Sequence, residues 1–143
     1  MPQACRGLRV GFGAMVEAVL EDGRGRRLVV RVATTRLERL RGLLGRPPLR
    51  AGTALLLPAA TSLHTVGMRY PIEVAWLDRE LRVLAVRTLP PGRLAAPRPK
   101  ARHVLECPVG TGLRAGDRLR IVWPPGQGPG GPAEFIDVGT RSV

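Results

Sequence analysis

Four side chains able to do chemistry, Ser62, His64, Thr65 and Arg69, crowd into SLHTVGMRY at residues 62–70, directly ahead of Pro71. On an extended chain, positions 62 and 64 point to one face and position 65 to the other. Ser62 and His64 can therefore share a pocket. An imidazole near neutral pH can serve as a general base or donate to an anion. The planar fork of Arg69 suits a carboxylate or a phosphate. A plainer reading competes: His64 bonds backbone at a strand start, Met68 fills core and Arg69 is solvated.

Three more residues join this set. Arg36 and Arg41 are five apart on an expected helix, hence about 140° apart around its axis. Arg36 stands in the first turn, where the helix dipole disfavours a cation, so it calls for a partner, either Glu106 or a ligand. Glu106 lies inside the apolar run HVLECP. A carboxylate there is expected on an exposed face or paired with an arginine.

No metal site is expected. His103 and Cys107, four residues apart on a strand, would stand ~13 Å apart, too far to share one ion. The chain has no CxxC, no HExxH and no phosphate-binding glycine loop, and no cofactor is implied. Asp78, Glu80 and Asp117 read as turn residues. Cys5 and Cys107 read as two reduced thiols, although sequence alone leaves their pairing open.

The elements that must position these residues are short. AMVEAVL and RLVVRVA flank the Gly-containing EDGRGR, a hairpin signal. In TTRLERLRGLLGRPPL, Thr35 and Glu38 have capping-box spacing. Leu37, Leu40 and Leu44 recur at helical spacing, widened by Leu43, with Gly45 as the stop and Pro47-Pro48 forbidding continuation. The expectation is a two-turn helix with Leu37 and Leu40 on a sheet face. TALLLP reads as a buried strand. IEVAWLD alternates, with Ile72, Val74 and Trp76 on one side, and turns through DRE into LRVLAVRT. LPPGRLAAPRPKA is expected to hold no ladder. RHVLECP and DRLRIVW are the last strands. Pro71 lacks an N–H, so its ladder begins at or after it.

The fold class that follows is β-rich (α+β): a small single-domain barrel or sandwich of about seven short strands with one short helix packed on it. The expected organisation is a loosely ordered segment at 1–13, one domain at 14–123 and a Gly/Pro-rich flexible tail at 124–143.

In order and approximate spacing, TTRLERLRGLLGRPPL, SLHTVGMRYPIEVAWLD, VLECPVG and GDRL resemble the conserved bacterial and archaeal family called domain of unknown function 192 (DUF192). The resemblance covers about residues 15–123. The His-Thr-x-x-Met segment leading into a Pro-Ile-acid-Val strand is its most specific part. It implies a small β-rich domain with one or two helices and no particular activity. Two places depart from the family pattern. The segment between Glu106 and Gly116 is shorter than the helical turn found there, and Glu73 stands where Asp is usual.

Bulk properties narrow the function classes. Hydrophobic residues make up 44% of the 143-residue chain, which suits one domain with a real core. No apolar run reaches the roughly 20 residues of a membrane span, and the N-terminal stretch is a poor signal peptide, so a cytoplasmic protein is expected. The net charge is +12, and of the 23 basic residues only Lys100 is lysine. Arginine bias of that kind reflects GC-rich coding as readily as function. It still predicts weak, non-specific, salt-sensitive affinity for polyanions. The five aromatic residues are scattered and build no stacking platform for single strands. The reading favoured is a ligand-binding or accessory module with a polar, anion-tolerant pocket built from Arg36, Arg41, Ser62, His64, Thr65, Arg69 and Glu106, taking a small anionic or polar ligand. An enzyme using His64 as general acid/base and a non-specific nucleic-acid-binding module are the alternatives. Oligomeric state is left open.

Overall fold

The computed structural model describes residues 15–33 and 35–122. The segments expected to be loose, 1–13 and 124–143, lie outside the described residues. The elements are β1 (Met15–Glu21), β2 (Arg27–Ala33), α1 (Arg36–Arg41), β3 (Thr53–Pro58), β4 (Leu63–His64), β5 (Ile72–Leu77), β6 (Val83–Leu89), β7 (Leu94–Ala95), β8 (His103–Cys107) and β9 (Arg120–Val122).

Seven of the strands form one mixed sheet in the order β6-β5-β8-β3-β2-β1-β9, and β4 pairs with β7 in a small second sheet. The β1–β2 hairpin runs in register from Met15 opposite Ala33 to Glu21 opposite Arg27. Its turn is set by Asp22, whose carboxylate accepts from the backbone N–H of Arg24 at 2.8 Å and of Arg26 at 2.9 Å. Such an acceptor replaces the ladder bonds that a turn gives up. β2 and β3 are parallel, so the chain between them must cross over, and that crossover carries α1. Asp78 closes the β5–β6 hairpin in the same manner, accepting from the N–H of Glu80 and of Arg82 at 2.9 Å each.

The central strands are buried on both faces, which is why TALLLP and HVLEC read as continuous apolar runs. Ala54, Leu56, Ala75, Leu77, Leu105 and Cys107 belong to one core. Leu55, Leu57, Ile72, Val74, Trp76 and Val104 belong to the other. The fold is therefore sandwich-like. It is not a closed barrel: β6 and β9 are the two ends of the sheet and do not pair as strands, and only an isolated bridge between Arg82 and Arg118 links the chain beside them. The expected β-rich domain of about seven strands and one helix is what forms.

Three local expectations need correction. The helix stops at Gly42, three residues before Gly45; Gly42 takes φ 53 and ψ −129, and its N–H donates to the Glu38 carbonyl. Thr35 caps it as expected, its hydroxyl accepting from the Glu38 N–H at 3.1 Å. The early stop changes which leucines pack. Leu37 and Leu40 are 74% and 68% exposed, whereas Leu43, just past the cap, is 2% exposed. A six-residue helix is too short to present a full apolar stripe, so the core takes its leucine from the turn that follows. Third, the Pro-rich stretch after β6 does hold a short ladder, because Leu94 and Ala95 pair with His64 and Leu63. Between Glu106 and Gly116 there is no helical turn, in line with the shortened segment.

Candidate functional site

Glu106 occupies β8 opposite Leu55 of β3 and Val74 of β5. Strand alternation turns it to the same face as Val104, into the second core. The residue is 3% exposed. The Leu43 N–H, just beyond the helix cap, donates to its carboxylate, and Oε2 has no partner among the described residues. Burial pushes this carboxyl up to about 7, against the Leu43 N–H and the charge of Arg46, which both pull it down. An ionised group buried with half its acceptors idle is costly, and protonation relieves that cost.

The loop after α1 is held over Glu106 by two further residues. Arg46 turns back on the helix: its Nε donates to the Gly42 carbonyl at 3.1 Å and its guanidinium pairs with Glu38 at 2.7 Å. It therefore acts on Glu106 through space and makes no direct ion pair with it. Tyr70 donates from its hydroxyl to the Arg46 carbonyl at 2.9 Å. Burial raises the Tyr70 phenol above its ordinary value, the Glu106 charge adds to that, and Arg46 opposes it.

Between this loop and the lead-in to β5 runs a groove of about 690 Å³, lined by residues 43–48 and 67–70. That is within the size range of small-molecule sites. Leu43, Arg46 and Tyr70 belong both to its wall and to the surroundings of Glu106. Arg69 stands on its rim, exposed, with no hydrogen bond or ion pair among the described residues. A second hollow of about 310 Å³ lies beside the β1–β2 turn. Its lining ionic groups, Asp22, Arg26 and Arg27, are each paired among the described residues, Arg26 to Asp22 and Arg27 to Glu21 at 2.9 Å each.

The structure distributes the seven expected residues unevenly. Arg69 is on the groove and Glu106 lies behind its wall. Ser62 and His64 are exposed, outside the groove lining, and their side chains have no hydrogen-bond partner among the described residues. Thr65 is fully buried and works as a brace. Its hydroxyl donates to the Pro90 carbonyl at 2.7 Å and accepts from the Arg93 N–H at 2.8 Å. Arg36 is exposed, and Arg41 donates from Nε to the Leu44 carbonyl at 3.0 Å. The cation beside Glu106 is Arg46, in place of Arg36 or Arg41. Sequence reasoning missed Arg46 and Tyr70. The available signal was their position, an arginine wedged between Gly45 and Pro47 and a tyrosine directly before Pro71, both places where the chain turns. Among the described residues no group of three potential metal ligands comes together.

Comparison with known proteins agrees with this architecture. Residues 18–121 match the family described as Uncharacterized ACR, DUF192. A UPF0127 protein of Thermococcus kodakarensis is 36% identical over 85 residues, covering 57% of this chain and 54% of that protein. The chain thus spans about half the length of that relative. Among solved structures, a protein of unknown function from Novosphingobium aromaticivorans superposes with a TM-score of 0.61 at 20% identity, covering 74% of this chain and 84% of the other. A putative transcription regulator from Sinorhizobium meliloti gives 0.64 at 21% identity, covering 76% of this chain and 94% of the other. At such identities the likeness establishes the fold.

Proposed function

The chain belongs to the DUF192 family, and on that premise we propose that it is a small cytoplasmic ligand-binding or accessory module whose groove takes a small oxyanion with an apolar body. The observation that carries the reading is Arg69, an arginine without a partner among the described residues, on the rim of a groove whose walls include Leu43, Leu44, Met68 and Tyr70. A guanidinium offers bidentate donors to a carboxylate or phosphate, and the apolar walls remove the rest of the ligand from water. The anion-tolerant pocket expected at the His64 segment lies, in this reading, at that segment's far end. The two sources of the anion, carboxylate and phosphate monoester, share this chemistry. The net charge of +12 adds a weak, non-specific affinity for polyanions.

The test is calorimetric titration of the protein with benzoate and with phenyl phosphate at moderate salt. Binding of either that Arg69→Ala abolishes supports the reading. Absence of binding by both, or binding that Arg69→Ala leaves intact, overturns it.

A further inference from the structure

Glu106 and the groove are joined by one short run of chain. The Leu43 N–H that meets the Glu106 carboxylate, and Leu43, Leu44 and Arg46 of the groove lining, follow one another within four residues. Gly42, the residue before them, is pressed so close that a Cβ there would stand 2.9 Å from Glu106 Oε1. Oε2 is buried and lacks a partner among the described residues. The carboxylate therefore sits directly against the stretch of backbone that shapes the groove.

We infer that occupation of the groove by an anion is coupled to uptake of a proton by Glu106. The inference rests on the ligand reading just given and states how that site is regulated. An anion set at Arg69 brings a second negative charge to the wall that Glu106 already backs. Leu43, Arg46 and Tyr70 line the groove and also interact with Glu106, so an anion held there repels an ionised Glu106, and protonation of the buried carboxylate removes the repulsion. Other groups around Glu106 do not take its place. The loop presents the Arg46 guanidinium, and the lead-in to β5 presents Tyr70, whose phenol burial raises above its ordinary value. β3 and β5 present Leu55 and Val74 across the ladder. Cys107 and Glu73 face the opposite side of the sheet. Glu38 is tied to Arg46 at 2.7 Å. The sign follows: anion affinity rises as pH falls through the range where Glu106 titrates. Glu106 touches no ligand in this scheme and is a positioning residue.

The experiment titrates the full chain with benzoate, whose own carboxyl stays ionised, between about pH 6 and about pH 8. At a pH near 7 it is repeated in PIPES and in imidazole, buffers with different heats of ionisation. The expected result is affinity at least about fivefold tighter at the acid end, the low side of ordinary coupling between sites. The apparent binding heat should depend on the buffer in the direction of proton uptake. Glu106→Gln, which keeps an acceptor for the Leu43 N–H, should bind with no pH dependence, while His64→Ala should keep it. The buffer comparison needs no variant and stands even if Glu106→Gln folds poorly. Binding that is independent of both pH and buffer overturns the coupling and leaves the ligand reading standing. PH dependence that survives in Glu106→Gln, or vanishes in His64→Ala, also overturns it. Absence of benzoate binding at every pH overturns both.

Discussion

Gly42 lies directly on the Glu106 carboxylate: a Cβ on Gly42 would stand 2.9 Å from Oε1 and 3.1 Å from Oε2. Gly42 also has φ +53. Helix termination, backbone conformation and the burial of an acid meet at this one contact. Gly42→Ala should therefore lose roughly 2 kcal/mol or more, the ~1–2 kcal/mol of a left-handed non-glycine residue plus the displacement of a buried carboxylate. Gly25, at φ +83 with nothing within 4 Å, is a positive-φ position without the crowding. Gly25→Ala should cost about 1–2 kcal/mol. Urea denaturation of both variants measures the difference. Equal losses would mean that Glu106 does not press on Gly42.

Glu106 makes stability depend on pH in the direction opposite to an ordinary paired carboxylate. Its folded value of about 7 lies above the 4.5 of a free glutamate. The folded protein keeps a proton that the unfolded chain releases, so stability falls as pH rises from 4.5 towards 7 and stays at its lower level above that. The ceiling of the effect is about 3 kcal/mol, from ~1.4 kcal/mol per unit. Glu106→Gln should be more stable than the parent at about pH 8, and the gap should close at about pH 4.5. A variant less stable at about pH 8 would contradict the strain assigned to the carboxylate.

His103 works the other way. It is buried, and its Nδ1 accepts the Ala59 N–H at 3.2 Å, which only an unprotonated nitrogen can do. Burial lowers it to about 4 from 6.5, with Arg102 acting in the same direction and Asp78 against. The unfolded chain takes up the proton first as pH falls, so stability is lost on going from 6.5 towards 4. Between 4.5 and 6.5 the slopes from His103 and Glu106 oppose each other. The parent should show a shallow profile there, and Glu106→Gln should uncover a stability that climbs with pH until about 6.5. A flat profile in Glu106→Gln would remove His103 from the account.

The exposed leucines and the buried tryptophan of the second core separate packing from pattern. Trp76 is 1% exposed, donates from Nε1 to the Thr61 carbonyl at 3.1 Å and carries the Arg98 guanidinium 4.5 Å above its ring. Trp76→Ala should cost about 3–5 kcal/mol. Leu37→Ala and Leu40→Ala should each stay within about 0.5 kcal/mol, as for other surface positions. Thermal or urea melts decide it, and a large loss at Leu37 would mean that something covers the helix.

Much of the fold was legible because it is written in alternation and turn chemistry. The Asp22 and Asp78 turns, the Ile72-Val74-Trp76 stripe and the Thr35 cap all follow from local residue types. The site was less legible because its contacts are tertiary. Leu37 and Leu40 carry the helical spacing, yet the turn at Gly42 delivers Leu43 to the core instead. Glu106 stood out as an acid in an apolar strand, but nothing local told that its neighbours would be the Leu43 N–H and the Arg46 charge. Thr65 looked like a ligand donor, and only the packing of the chain near Pro90 and Arg93 turns it into a brace. Position along the chain reveals which residues are unusual, and packing decides which of them meet.

The proposed oxyanion site is the groove between residues 43–48 and 67–70, with Arg69 on its rim. Its most direct test is amide chemical-shift mapping of the isotopically labelled protein during titration with benzoate. Saturable shifts are expected at residues 43–48 and 67–70, and they should be lost in Arg69→Ala. Shifts confined to the hollow around Arg26 and Thr111, or no saturable shifts at all, would contradict it.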